Sequence, residues 1–292
     1  MKHDFLKSIG FTEIDTNEEL YRILGDVVAY PDQEEYFENP VSPQFAMYTK
    51  YFGEHMGITV AGIFIGDDFH MEYYFPFYKG CTASTYEHME ITKFSDRLAF
   101  AGVCDELRLG VTLIFTIQNT IHILRTGQKK QPSFRLANVA IGGLGLGGTV
   151  LLPVIKNAGT VHKRILNEKK RIDLIKKARE GNQKAIDYLT INDMDTYSML
   201  SQRVEKEDIL SIVESSFIPH GIECDQYDVI GEIINVKEVS NKQTEELCWV
   251  LQINCNDIVF DICINQKDLI GEPMIGRRFK GMVQLMAQIQ IV

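Results

Sequence analysis

The stretch "ANVAIGGLGLGG", residues 137–148, decides how this chain is read. It contains Gly143-x-Gly145-x-x-Gly148, the spacing of a dinucleotide-binding turn. Such a turn needs a buried strand before it, a helix opening at once after it, and an acid about 20 residues on. "FRLANVAI" serves as the strand, but "TVLLPVIKN" is β-branched and apolar, and Pro153 would break a helix there. The acid at that distance, Glu168, stands in a basic helical run. A P-loop fails on one position, because Gly142-x-x-x-x-Gly147-Gly148-Thr149 has glycine where the phosphate-binding lysine belongs. Residues 136–155 carry no charge and include Gly143-x-x-x-Gly147, so a membrane span is the third reading. Five glycines, a proline and an asparagine make them poor lipid-facing sequence. The expectation is a glycine-rich strand at the edge of an N-terminal sheet, where another backbone comes close.

Upstream, "NEELYRILGDVVAY" has Leu20, Ile23, Leu24, Val27 and Val28 at helical spacing after an Asn17 cap. With the opening residues it makes two leading helices. From about Gln44 the period becomes two, and residues 57–78 read as a β-hairpin turning at Gly66-Asp67. Residues 111–124 alternate apolar and polar, as one long strand or as two joined through Gln118-Asn119-Thr120. Downstream, "VHKRILNEKKRIDLIKKARE" and "QKAIDYL" read as a helical hairpin around Gly181-Asn182, and "NDMDTYSMLSQRV" as another short helix capped by Asn192. Residues 206–218 fit helix or strand. Strands are expected near 227–236, 246–255, 258–265 and 278–292, with a tight Asn256-Asp257 turn between the middle two. The fold class is therefore α+β. An antiparallel domain spans 1–155, a basic helical connector 156–220, and a small barrel, OB-like or SH3-like, 221–292.

Charge follows the same division. The net charge is −10, but residues 156–184 hold ten Lys/Arg against three Asp/Glu, between bodies of −7 and −10. A connector of that sign pairs with the acidic bodies it joins. The helix "NDMDTYS" is acidic where a recognition helix would meet phosphate, which disfavours nucleic acid. Six cysteines lie at 81, 104, 224, 248, 255 and 263 with no C-x-x-C pair, which fits a reduced, cytoplasmic protein without a zinc ribbon. A signal peptide is not expected, because "MKHDFLKSIGFTEIDTNEEL" lacks an apolar core.

Candidate sites are few. Asp68, His70 and Glu72 alternate on the second hairpin strand, so one strand face would present three metal-binding or acid–base groups. The plain alternative is the wet face of an amphipathic strand. Lys169, Lys170 and Arg171 in the connector, and Arg277, Arg278 and Lys280 in "GEPMIGRRFKG", are the candidates for an anionic-partner surface. Neither H-E-x-x-H nor G-x-S-x-G occurs.

"GIECDQYDVIGEI", "CNDIVFDICIN", "DLIGEPMIGRRFKG", "HDFLKSIGF" and "DTYSML" together resemble a family of uncharacterised proteins from clostridial bacteria. The resemblance implies a bacterial protein of unknown role and supplies no catalytic residues. The expected function is a non-catalytic module that binds a protein or small molecule, or regulates one, without a cofactor. The alternatives are a hydrolase or metal-dependent enzyme using Asp68, His70 and Glu72, and a peripheral membrane or nucleic-acid protein using the basic hairpin.

Overall fold

The structure, a computed structural model, describes residues 4–39, 42–85, 89–94, 97–127, 137–154, 170–205, 207–222 and 224–291. A 3-10 helix, Asp4–Ile9, leads into helix α1, Asn17–Ala29. The cap of α1 is Thr16 rather than Asn17. The Thr16 hydroxyl accepts from the Glu19 amide, and the Glu19 carboxylate accepts from the Thr16 amide, closing a capping box.

Strands β1 (Gln33–Asn39), β2 (Ser42–Gly53), β3 (Met56–Ile65) and β4 (Asp68–Tyr78) follow as an antiparallel meander. The β3–β4 hairpin turns where the sequence places it, with Gly66 at φ +64°. Next come β5 (Ala83–Thr85), β6 (Met89–Lys93), β7 (Phe100–Glu106) and β8 (Val111–Ile117). The alternation running past Ile117 is not strand. Thr120–Gly127 is helix α2, wedged between two cores. Ile121 packs into one and Ile123 into the other. Residues two apart on a helix point to nearly opposite sides, so a helix buried on both sides imitates a strand.

The glycine run lies in β9, Ala137–Leu151. It is a strand, as expected, but not an edge. It lies parallel to β13 (Ile258–Asn265) and antiparallel to β15 (Arg278–Ile291). Strands β11 (Gln226–Ser240) and β12 (Leu247–Cys255) complete the ring: β11 pairs β12, β12 pairs β13, and the first half of β15 returns to β11. This is a closed five-stranded barrel. The second half of β15 pairs β8, so β8, β7 and β6 extend the same sheet away from the ring. Asn119 prolongs that edge with its side chain, donating to the Ile289 carbonyl (2.8 Å) and accepting from its amide (3.1 Å). Both residues of the Asn256-Asp257 turn have positive φ, as a two-residue hairpin of this kind demands.

The barrel explains the glycines. Ile262, Ile264, Phe279 and Val283 fill its interior. A Cβ on Gly143 would stand 2.4 Å from Val283, and one on Gly148 2.4 Å from Phe279. β9 is glycine where large neighbours already occupy the space, the small-against-large arrangement of narrow barrels. Its outer face carries Leu144, which joins a second core with Tyr48, Ile58 and Phe77 of the meander and Leu20 and Ile23 of α1. The 3-10 helix is fastened into that layer. Ser8 donates to the Gly145 carbonyl (2.7 Å), Asn241 to that of Ile9 (2.7 Å) and Thr244 to that of Gly10 (2.6 Å).

Helix α3 (170–179) is followed by α4, Gln183–Val204. Asn182 caps α4 by accepting from Ala185. The expected break at Asn192 is absent, and α4 is continuous through it. Helix α5 (Ile209–Ile212) and strand β10 (Ser216–Pro219), paired to β11, resolve the ambiguous stretch into both kinds of element. The two-residue strand β14, Leu269–Ile270, pairs the end of β9. β9 is thus a stave of the ring, and β10 pairs β11 in the same sheet.

Candidate functional site

Asp68, His70 and Glu72 are all exposed on β4. The register passes from Gly62↔Met71 to Ala61↔Tyr73, leaving Glu72 as the extra residue of a β-bulge. Beyond it the alternation inverts. Phe69 and Tyr74 pack into the core shared with α1, while Tyr73 donates to the Leu98 carbonyl at 2.8 Å on the other side. Among the described residues no three His, Cys, Asp or Glu side chains are grouped to hold a metal ion.

The basic candidates divide. Lys169 lies outside the described residues. Lys170 stands over the Tyr188 ring, 5.3 Å from its centroid, and Arg171 pairs with Asp193 at 2.7 Å. Arg179 pairs with Asp105 of β7 at 3.3 Å, so α3 does meet an acidic strand. Arg278, expected on an exposed surface, is only 5 % exposed. Its Nε donates to the Leu152 carbonyl (2.9 Å), Nη2 to that of Leu210 (2.7 Å) and Nη1 to that of Val213. Burial pulls its pKa below the usual guanidinium value. A planar fork with fixed donors satisfies three carbonyls at once, which an ammonium does not. Arg278 pins the end of β9 and the short helix α5 to the start of β15.

Around this pin the barrel presents bulky aliphatics to solvent. Leu152 is 73 % exposed, Ile270 70 % and Ile275 70 %, with Ile209 and Met274 also exposed. The loop carrying Ile270, Met274 and Ile275 is not loose. Ile270 is in register with Thr149, the Gly276 amide donates to the Ile233 carbonyl (2.8 Å), and the Ile233 amide to that of Arg277 (2.8 Å). Gly271 and Gly276 take the left-handed φ values, +92° and +87°, that this path requires. Arg277 donates to the Glu272 carbonyl (2.8 Å), and Lys280 is exposed beside it. Scattered single aliphatics on a surface are ordinary, whereas a contiguous exposed apolar patch is uncommon. The apolar part of the site was missed in sequence, where "IGEPMIG" reads as a turn. Its signal was two isoleucines and a methionine in a Gly/Pro loop.

One buried ion pair is architectural. The Glu106 carboxylate is fully buried and accepts from Arg108 Nε (2.8 Å) and Nη2 (2.7 Å) and from the Thr85 hydroxyl (2.8 Å). Burial works to raise its pKa, but these donors outweigh it and hold the carboxyl below its ordinary value. Arg108 also donates to the Ser84 and Asp257 carbonyls, tying β5 and the β12–β13 turn to β7.

The described residues form a mixed α+β protein, mostly sheet, in which an antiparallel four-stranded sheet packs on a five-stranded barrel. The chain belongs to the family described as "Domain of unknown function, E. rectale Gene description (DUF3881)", whose family model matches residues 6–287. The resemblance to clostridial proteins of unknown role is thereby established. No curated protein and no solved structure matches the chain. No helix among the described residues is long and apolar enough to cross a membrane.

Proposed function

We propose that this protein is a non-catalytic, cytoplasmic binding module that docks a protein partner on the apolar rim around Arg278. The single observation behind this is that Leu152, Ile270 and Ile275 stay in water although a buried arginine holds the Leu152 backbone and a ladder of backbone bonds holds the 270–277 loop.

The barrel topology supports the choice of surface. In an OB barrel three strands meander, the third lies parallel to the fifth, and the fourth closes the ring against the first. Here β11, β12 and β13 meander, β13 lies parallel to β9, and β15 closes against β11. We read this as an OB-type barrel in permuted order, with the usual last strand, β9, coming first. Barrels of that type take oligonucleotides and oligosaccharides on strands two and three. The matching outer face here, with Cys248, Val250 and Cys263, is buried under the N-terminal sheet. Nucleic acid is therefore disfavoured and the rim is the free surface. The thiols of Cys81, Cys224, Cys248, Cys255 and Cys263 are free, which suits a reducing cytoplasm.

The test is affinity capture from clostridial lysate on immobilised protein, with an Ile270→Ser/Ile275→Ser variant alongside. Both residues are exposed, so the variant keeps the parent's melting temperature. Partners retained by the parent and lost by the variant support the reading. Identical captures sink it, as does a partner lost only on substitution of the four-stranded sheet.

A further inference from the structure

Away from the rim, the α3–α4 hairpin carries an open depression of about 270 Å³. Its floor is apolar, built from Leu174, Ala185 and the Tyr188 ring, with Ala185 buried. Its mouth is lined by Lys170, Lys177 and Lys184. Three ammonium groups around one small apolar pocket repel each other, and the arrangement is offset only in part. Lys177 pairs with Asp173 one turn away at 2.6 Å. Lys170 rests over the Tyr188 ring. Lys184 makes no ion pair among the described residues.

Tyr188 reports the local field. Its phenol is held below the ordinary value, first by the hydrogen bond from Asn192 and then by the Lys170 charge. Asn182, the cap of α4, is the polar residue that lines the pocket beside these lysines.

We propose that this pocket binds a small organic anion, a phosphate or carboxylate carried on a flat apolar body. The body lies on Leu174 and the Tyr188 ring, and the anion sits between Lys170 and Lys184. A bare inorganic anion leaves the floor uncovered, and a neutral aromatic leaves the lysines uncompensated, so each half alone binds more weakly than the two joined. The volume is just under the usual range for drug-sized ligands, roughly 300–1,000 Å³, which selects a ligand of one or two rings.

The probe is 2-naphthyl phosphate, titrated calorimetrically into the full chain, with inorganic phosphate and 2-naphthol as the separated halves. The expected result is saturable one-to-one binding of the joined probe, weakened by salt. Lys170→Ala and Lys184→Ala each lower affinity roughly five- to tenfold, as loss of one partly solvated charge contact implies. Lys176→Ala, which faces the Glu90 and Arg179 side of α3, leaves binding unchanged. All three lysines are exposed, so circular dichroism and melting temperature stay at parental values. Absence of saturation below about 1 mM, where an interaction contributes only about 4 kcal/mol, overturns the proposal. Equal binding by the Lys170→Ala/Lys184→Ala double variant overturns it as well. The rim is untouched by either substitution, so capture by the rim and ligand binding by the hairpin succeed or fail separately.

Discussion

Gly142 on β9 lies so close to Tyr78 at the end of β4 that a Cβ on it would stand 2.1 Å from the Tyr78 carbonyl oxygen. No rotamer relieves a clash between backbone and backbone. Five positions along the same strand, Gly147 has nothing within 4 Å of the same construction. Gly142→Ala is therefore expected to cost about 3 kcal/mol or more. Gly147→Ala should stay within about 1 kcal/mol of the parent, on the stabilising side, because it restricts the unfolded chain. Urea unfolding of both variants checks this. Equal effects would mean that β9 does not touch β4 as described.

Arg278 serves three carbonyls from a buried position, and its neighbour Arg277 serves one from the surface. Arg278→Lys should cost about 2–3 kcal/mol by leaving buried carbonyls unpaired. Arg277→Lys should remain within about 0.5 kcal/mol. Amide hydrogen exchange at residues 209–213 should quicken in the first variant only.

Glu106 carries a pH signature. Its folded pKa is depressed, so the stability it contributes is complete above the unfolded carboxyl value, about 4.3, and disappears as pH falls through the folded value. Glu106→Gln should be less stable than the parent by about 2 kcal/mol at pH 7, a figure reduced because Arg108 is partly exposed. The gap should close below about pH 4. A gap constant from pH 7 to pH 3 would show that the carboxylate is not the ionised partner.

The thiols should separate by accessibility. Cys81 and Cys224 are exposed, whereas Cys104, Cys248, Cys255 and Cys263 are buried. Burial pushes the Cys255 thiol up to about 12, and it raises Cys81 too, with Asp261 adding to the effect. Iodoacetamide at pH 8 should label Cys224 first, Cys81 more slowly, and the other four only after unfolding. Mass spectrometry of tryptic peptides resolves the order.

Local features were legible in the sequence because their causes are local. The β3–β4 turn, the Asn256-Asp257 turn and the strands from 226 onward follow from residues within a few positions of each other. The insertion of β9 between β13 and β15 has no local cause, since its partners lie more than 100 residues away. The α2 helix was masked by burial on two sides, and the Glu72 bulge by a side-chain pattern that says nothing of pairing. Arg278 looked like surface charge because its acceptors are backbone carbonyls, which have no sequence signature. Of the proposed hairpin site, Lys170 was readable, but its convergence with Lys184 across the Gly181 turn required the helix packing.

The place of β9 in the ring also has a consequence in time. A ribosome delivers residues 137–151 well before 258–265 and 278–291, so about 114 further residues are made before β13 is complete and about 140 before β15 is, roughly 6–30 s at bacterial speeds. An ordinary apolar strand waiting that long is a seed for cross-β stacking. Glycines stack poorly in that way, so the residues that leave room for Phe279 and Val283 in the finished barrel also keep the nascent chain from condensing before those partners arrive.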